Sequence, residues 1–209
     1  MANVAIFSTT YLGPIQYYAK LIASENILME RFEHYPKQTY RNRCLIYGAN
    51  GRQILTIPVT KGQQLKTYTR DIQIDNSVNW KKIHFKAIES AYRCSPFYQF
   101  YIDDLTPFYE HKYEFLYDFN LDLMNTIFQL LDVKIQITGT DQYMKEVTDN
   151  CIDFRESIHP KLQIGPEFTP PVYRQVFEPK GGFLPNLSII DLIFNTGPDA
   201  KKLLLESRY

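Results

Sequence analysis

The first 32 residues constrain the fold most, because two short apolar runs flank an apolar stripe at helical spacing. Residues 4–7, Val-Ala-Ile-Phe, are continuously apolar and end in Ser8-Thr9-Thr10. A short run without polar alternation suits a strand buried on both faces. Pro14 stands where a first helical turn tolerates proline, and Ile15, Tyr18, Ala19, Leu21 and Ile22 then recur on one helical face up to about Glu25 or Asn26. Residues 27–29 begin a second apolar run. Strand, helix and strand in this order predict a parallel β-α-β unit with a right-handed crossover.

Downstream, residues 44–47 and 53–59 are strand-like, and Asn50-Gly51 between them favours the positive φ of a tight hairpin turn. Pro58 lacks the N–H that a ladder needs, so the second hairpin strand lies at an edge or stops there. Residues 71–75 are a further candidate strand. Apolar spacing predicts helices over 80–92 and 109–131, and alternation predicts a strand over 133–137. Tyr173, Gln175 and Phe177 also alternate, among prolines that weaken a ladder. Residues 187–194, between Pro185-Asn186 and Gly197-Pro198, have helix start and stop signals. The expected fold class is α/β (mixed α+β): a mixed sheet with an N-terminal β-α-β unit and a β-hairpin, packed by helices, as one domain over 1–209.

Charge and cysteine usage narrow the function classes. Acidic and basic residues cancel at 23 each, leaving no global field for nucleic acid, so an anion must meet a local cluster. Cys44, Cys94 and Cys151 are odd in number and lack paired or ligand spacing, which points to free thiols in a reducing, cytoplasmic compartment. The N-terminus has no basic leader or small-residue cleavage site, and no stretch approaches the roughly 18 apolar residues of a membrane span. The four histidines show no metal-ligand pattern, and there is no glycine-rich phosphate fingerprint, Walker loop or nucleophile elbow. No metal site is expected, no cofactor is indicated, and the oligomeric state is open.

The segment 33–43, Glu-His-Tyr-Pro-Lys-Gln-Thr-Tyr-Arg-Asn-Arg, contains almost nothing aliphatic. It follows the second strand as residues 9–13 follow the first, so both loops are expected at the carboxyl ends of parallel strands, where α/β sheets bind ligands. A helix starting near Pro14 would aim free N–H groups into that crevice beside Gly13. Lys37, Arg41 and Arg43 could complete an anion clamp, with His34 able to take a proton near neutral pH. Spacing alone fits equally well a solvated basic loop whose arginines pair with surface acids. His84 falls on the apolar side of its helix and reads as a hydrogen-bonded core histidine.

In the last apolar helix, Ser188, Asp191 and Asn195 form one polar stripe at three- and four-residue spacing. A buried Asp191 must find a cation, accept several hydrogen bonds or titrate high, and Arg41 or Arg43 is the expected partner. A purely structural aspartate, pinning a loop to the core, fits the spacing as well. The aromatic cluster 95–101 reads as core before it reads as a stacking surface.

These residues together resemble the WbqC-like protein family. The resemblance rests on Tyr11-Leu12-Gly13-Pro14 with Tyr17-Tyr18, His34-Tyr35, Lys37-Gln38 with Asn42-Arg43, Leu55-Thr56-Ile57-Pro58-Val59, Trp80 with His84, and Ser95-Pro96-Phe97. It continues through Phe183, Asn186-Leu187-Ser188, Asp191-Leu192, Asn195 and Gly197-Pro198, spanning nearly the whole chain. Gly13 departs from the pattern, which often has proline there. The resemblance implies an enzyme of bacterial polysaccharide or O-antigen sugar biosynthesis, with N-acyl or aminoacyl transfer to an amino sugar or nucleotide-linked amino sugar as its reaction. On that implication Lys37, Arg41 and Arg43 hold an anionic or sugar substrate, His34 or Asp191 takes the amine proton, and Asn42 orients the substrate. Gly13, Gln38, Ser188 and Asn195 complete the expected binding set. A non-catalytic nucleotide- or carbohydrate-binding module and a structural adaptor are the alternatives.

Overall fold

The computed structural model describes residues 4–60, 67–145, 147, 150–166 and 168–207. β1 (Val4–Ser8), α1 (Ile15–Ala23) and β2 (Asn26–Glu30) form the expected unit, with the strands parallel and Ile6 opposite Leu28. Residues 5–8 are all buried, as the unbroken apolar run requires. β3 (Arg43–Gly48) and β4 (Gly51–Thr56) make the antiparallel hairpin, with Gly51 at φ 103° in its turn. β4 stops before Pro58, which has no N–H to continue the ladder.

α2 (Trp80–Tyr92) has its expected bounds. Of the helix expected over 109–131, α4 (Leu116–Leu130) forms, while α3 (Tyr98–Glu110), which was not expected, ends at the start of that span. A distant segment causes the break: Ile74 N donates to Glu114 O, Leu116 N donates to Ile72 O, and Gln73 bridges Phe115. The same contacts reduce the strand expected over 71–75 to isolated bridges after a 3-10 turn at Thr69–Asp71.

β5 (Ile137–Gly139) begins where the expected 133–137 strand was to end, in the register that sets Ile137 opposite Ile27. β6 (Cys151–Asp153), which the sequence did not announce, pairs with β1. Residues 173–177 form no strand; Gln175 instead uses its side chain to bond both backbone groups of Leu184. α5 (Glu178–Gly181), α6 (Ile189–Thr196) and α7 (Asp199–Glu206) complete the chain. None of the described helices is long and apolar enough to cross a membrane.

The parallel sheet has the order β5-β2-β1-β6, apart from the two-stranded hairpin. The chain builds outward from β1 through β2 to β5 and then returns to the other side of β1 as β6. Such a reversal opens a crevice beyond the carboxyl ends of the strands that flank it. The C-terminal part closes on the same region. Ser188 N donates to Leu45 O, Ile189 N to Gly13 O, and Ile15 N to Leu187 O, which stitches residues 187–189 between β3 and the turn ahead of α1.

Candidate functional site at the carboxyl ends of the parallel strands

Arg41 organises the region. It is 3% exposed, and it grips Glu33 with two parallel bonds, Nε to Oε1 at 2.7 Å and Nη2 to Oε2 at 2.6 Å. Nη2 also donates to Ser8 Oγ at the end of β1, to the Arg155 carbonyl just past β6, and to Glu156 Oε1. Burial alone would lower the Arg41 pKa, but the hydrogen bond and charge of Glu33 outweigh it and hold the guanidinium above its ordinary value. Both sides of the strand-order reversal are thereby tied to the loop that follows β2.

A second buried pair lies alongside. Glu30, fully buried at the end of β2, accepts from Arg155 Nη1 at 3.1 Å, from Thr140 Oγ1, and from the N–H groups of Arg31 and Phe32. Arg155 turns its other nitrogens to Asp153. Asn120, buried on α4, donates to the Arg41 carbonyl at 2.7 Å and to Thr9 Oγ1 at 3.4 Å, so α4 holds the two loops against each other. Tyr11 N donates to Tyr40 O, and the loops after β1 and β2 do share one crevice. Neither Glu33 nor Asn120 stood among the expected site residues. Glu33 was legible as the acid nearest the cations in the loop, whereas Asn120 is one polar residue in an apolar helix.

The start of α1 differs from expectation. Its first N–H groups are occupied, Ile15 N by Leu187 O and Gln16 N by Asn186 Oδ1, both at 2.9 Å. The returning chain thus takes the anion's place at this helix terminus. Gly13 is buried in the same seam, and its carbonyl accepts from Ile189. A Cβ at Gly13 would strike Thr10 Oγ1 and crowd Tyr17. Gly13→Ala is accordingly expected to lower stability by about 1–3 kcal/mol in urea unfolding. Loss below about 0.5 kcal/mol would mean that the turn yields freely.

Asp191 does not meet Arg41 or Arg43. It is fully buried and accepts from Tyr173 at 2.6 Å, Tyr92 at 2.9 Å and Gln175 at 3.0 Å. Three neutral donors can satisfy a carboxylate without a cation, so the helix needs no arginine beside it. Burial raises the carboxyl to about 6, and the bonds from Tyr173, Tyr92 and Gln175 only partly offset that. Ser188 Oγ donates to Leu12 O, and Asn195 Nδ2 donates to the Asp191 carbonyl beside a surface pocket lined by Phe97, Asp199 and Lys202. These three polar residues serve the seam and the helix, not the loop after β2.

Four of the expected residues remain outward on that loop. His34, Lys37 and Gln38 are exposed, Gln38 in the left-handed region at φ 63°, and Arg43 is half-buried. Among the described residues neither Lys37 nor Arg43 has a carboxylate at ion-pair distance. Asn42 donates to Ile57 O, while its Oδ1 is buried without a partner.

Elsewhere, His84 is a core histidine as expected. Its Nδ1 meets Tyr11 Oη at 2.9 Å, Tyr11 also meets Tyr109, and burial pushes the imidazole down to about 4. In the cluster at 95–101 Tyr98 is buried, Phe97 and Tyr101 are half-buried and Phe100 is 75% exposed, so only part of it joins the core. No group of three or more potential metal ligands is found among the described residues.

Comparison with known proteins agrees with the sequence pattern. The family model described as WbqC-like protein family matches residues 9–164 and 161–203. "Uncharacterized protein Rv1507c" of Mycobacterium tuberculosis is 28% identical over 231 aligned residues, covering 98% of each chain. Among solved structures none matches the chain.

Proposed function

Because the chain belongs to the WbqC-like protein family, we propose that it is an enzyme of bacterial polysaccharide or O-antigen sugar biosynthesis that acylates the nitrogen of an anionic amino sugar. The observation that supports this reading is the Arg41 network. It spends one cation entirely on structure and thereby fixes a loop whose other cations, Lys37 and Arg43, are left without acidic partners among the described residues. A rigidly held loop with uncompensated positive charge at a sheet reversal suits a small anion.

In this reading Lys37 and Arg43 hold the phosphate or carboxylate of the sugar and Gln38 orients its hydroxyls, while buried Asn42 supports the loop through Ile57. The sugar amine attacks the carbonyl carbon of an acyl or aminoacyl ester or thioester. His34, exposed on the loop, takes the amine proton, and the donor's alkoxide or thiolate leaves with the electron pair of the broken bond. Ser188 and Gly13 act at a distance by holding the returning chain against the turn ahead of α1, and Asp191 by tying its helix to Tyr92, Tyr173 and Gln175.

The test uses glucosamine 1-phosphate with an acetyl thioester, read by mass spectrometry, and calorimetry for binding. His34→Ala is expected to lower turnover about a hundredfold while leaving the melting temperature unchanged. Arg43→Ala is expected to weaken sugar-phosphate binding about tenfold, the scale of one charge-assisted hydrogen bond. Unaltered affinity in Arg43→Ala ends the clamp. Binding without product, across ester and thioester donors, favours the binding module instead.

A further inference from the structure

Just beyond β2 the chain pairs with residues 67–70, which run from an extended stretch into the 3-10 turn at Thr69–Asp71. Arg70 N donates to Arg31 O, Thr69 N to Glu33 O and Tyr35 N to Thr67 O, and His34 bridges Tyr68. Glu33 and Thr69 point inward, where Thr69 Oγ1 donates to Glu33 Oε1. On the other side Phe32, His34, Tyr68 and Arg70 meet one another.

There they form a continuous ladder of planar groups. The Arg70 guanidinium lies 4.3 Å from the Phe32 ring centre, Phe32 meets Tyr68 edge-on at 6.0 Å, and Tyr68 stacks on His34 at 5.3 Å with only 6° between planes. The ladder is open to solvent at one end: Tyr68 is 41% exposed, and His34 is exposed as well.

Arg31 stands beside it. Its stem crosses Gly139 of β5, where any side chain would press on Arg31 Cδ, and its guanidinium lies about equally far from the Phe32 and Tyr117 rings, 5.9 and 6.0 Å. Arg31 Nε is buried without a hydrogen-bond partner, and among the described residues no carboxylate comes within ion-pair distance of this guanidinium. Arg70 has one such neighbour, Asp71 at 3.3 Å.

Open aromatic faces favour a planar ring, and Arg31, an arginine beside them without a carboxylate partner among the described residues, favours a polyanion. A nucleoside diphosphate combines both. We propose that the Phe32–Tyr68–His34 ladder and Arg31 form a nucleoside diphosphate subsite, the base extending the stack at Tyr68 and His34 and the diphosphate lying against Arg31. Stacking uses the face of the His34 ring and leaves its edge nitrogens for the proton transfer described above. This subsite rests on the anionic-sugar reading and specifies its substrate as nucleotide-linked.

The experiment is calorimetry on the full chain with uridine diphosphate, adenosine diphosphate and inorganic pyrophosphate as probes. Stacking tolerates any base, so both nucleotides are expected to bind about tenfold or more tightly than pyrophosphate. Tyr68→Ala should abolish that advantage without changing pyrophosphate affinity, and Tyr68→Phe should retain it. Equal affinities for nucleotides and pyrophosphate in the parent chain, or an advantage that survives Tyr68→Ala, overturn the subsite. If pyrophosphate binding that depends on Arg43 persists without any base advantage, the subsite falls and the anionic-sugar reading stands. Failure of all three probes to bind overturns both.

Discussion

Glu33→Ala is expected to unfold about 3–5 kcal/mol more readily than the parent chain, the scale for stripping one partner from a buried ion pair. The two side chains are 7% and 4% exposed, so water cannot replace the lost carboxylate. Arg41 would keep Ser8, the Arg155 carbonyl and Glu156, but Glu156 is 68% exposed and its charge is well screened. Ser8 Oγ and Thr69 Oγ1 would each lose an acceptor as well. Replacing both members, as Glu33→Leu with Arg41→Met, should recover a substantial part of the loss, because no uncompensated charge remains buried. Urea unfolding at pH 7 measures both variants. A penalty under about 1 kcal/mol for the single change would mean that the loop relaxes and hydrates Arg41.

Asp191 should make stability depend on pH with a distinctive sign. Its carboxyl is raised from 3.8 to about 6 in the folded chain, so between these values the native state binds more protons than the unfolded state. The contribution is fully present below about 3.8 and is lost as pH rises through about 6. At about 1.4 kcal/mol per pH unit of displacement, the total is on the order of 3 kcal/mol. The groups that face the carboxylate, Tyr92, Tyr173 and Gln175, are uncharged throughout this range, but buried His84, held down to about 4, contributes a slope of opposite sign, so the Asp191 part is read from the difference between parent and variant. Asp191→Asn should remove this contribution: from pH 4 to pH 7 the stability change of the variant is expected to be about 2.5 kcal/mol more favourable than that of the parent chain. Parallel pH profiles for the two proteins would show that the carboxyl titrates normally.

Local chemistry made much of the fold legible. The unbroken run at 4–7, the proline ahead of α1, and Asn50-Gly51 each encode their element within a few residues, and each element formed where expected. What failed was decided at long range. The apolar spacing of 109–131 holds no sign that residues 114–116 will pair with 72–74 and interrupt the helix. β6 has one apolar residue in three and exists because β1 offers it a free edge. The site divides in the same way. The adjacency of the loops after β1 and β2 followed from strand order, but the partner of Arg41 was eight residues away while that of Asp191 lay on other elements. The outer ladder at Phe32 and Tyr68 was invisible for that reason, since its rings come from two segments far apart in the chain that meet only when they pair.

The seam between residues 187–189 and the turn ahead of α1 has a consequence for biosynthesis. Its bonds join positions 170 and 176 apart in the chain, so the opening strand and helix leave the ribosome long before their partners exist. At roughly 5–20 residues per second the delay is on the order of ten seconds. During that interval the amide hydrogens of Ile15 and Gln16 have only water to bond. Native assembly therefore waits until residues 186–189 have been made, and a nascent chain halted before Asn186 leaves its first helical turn uncapped.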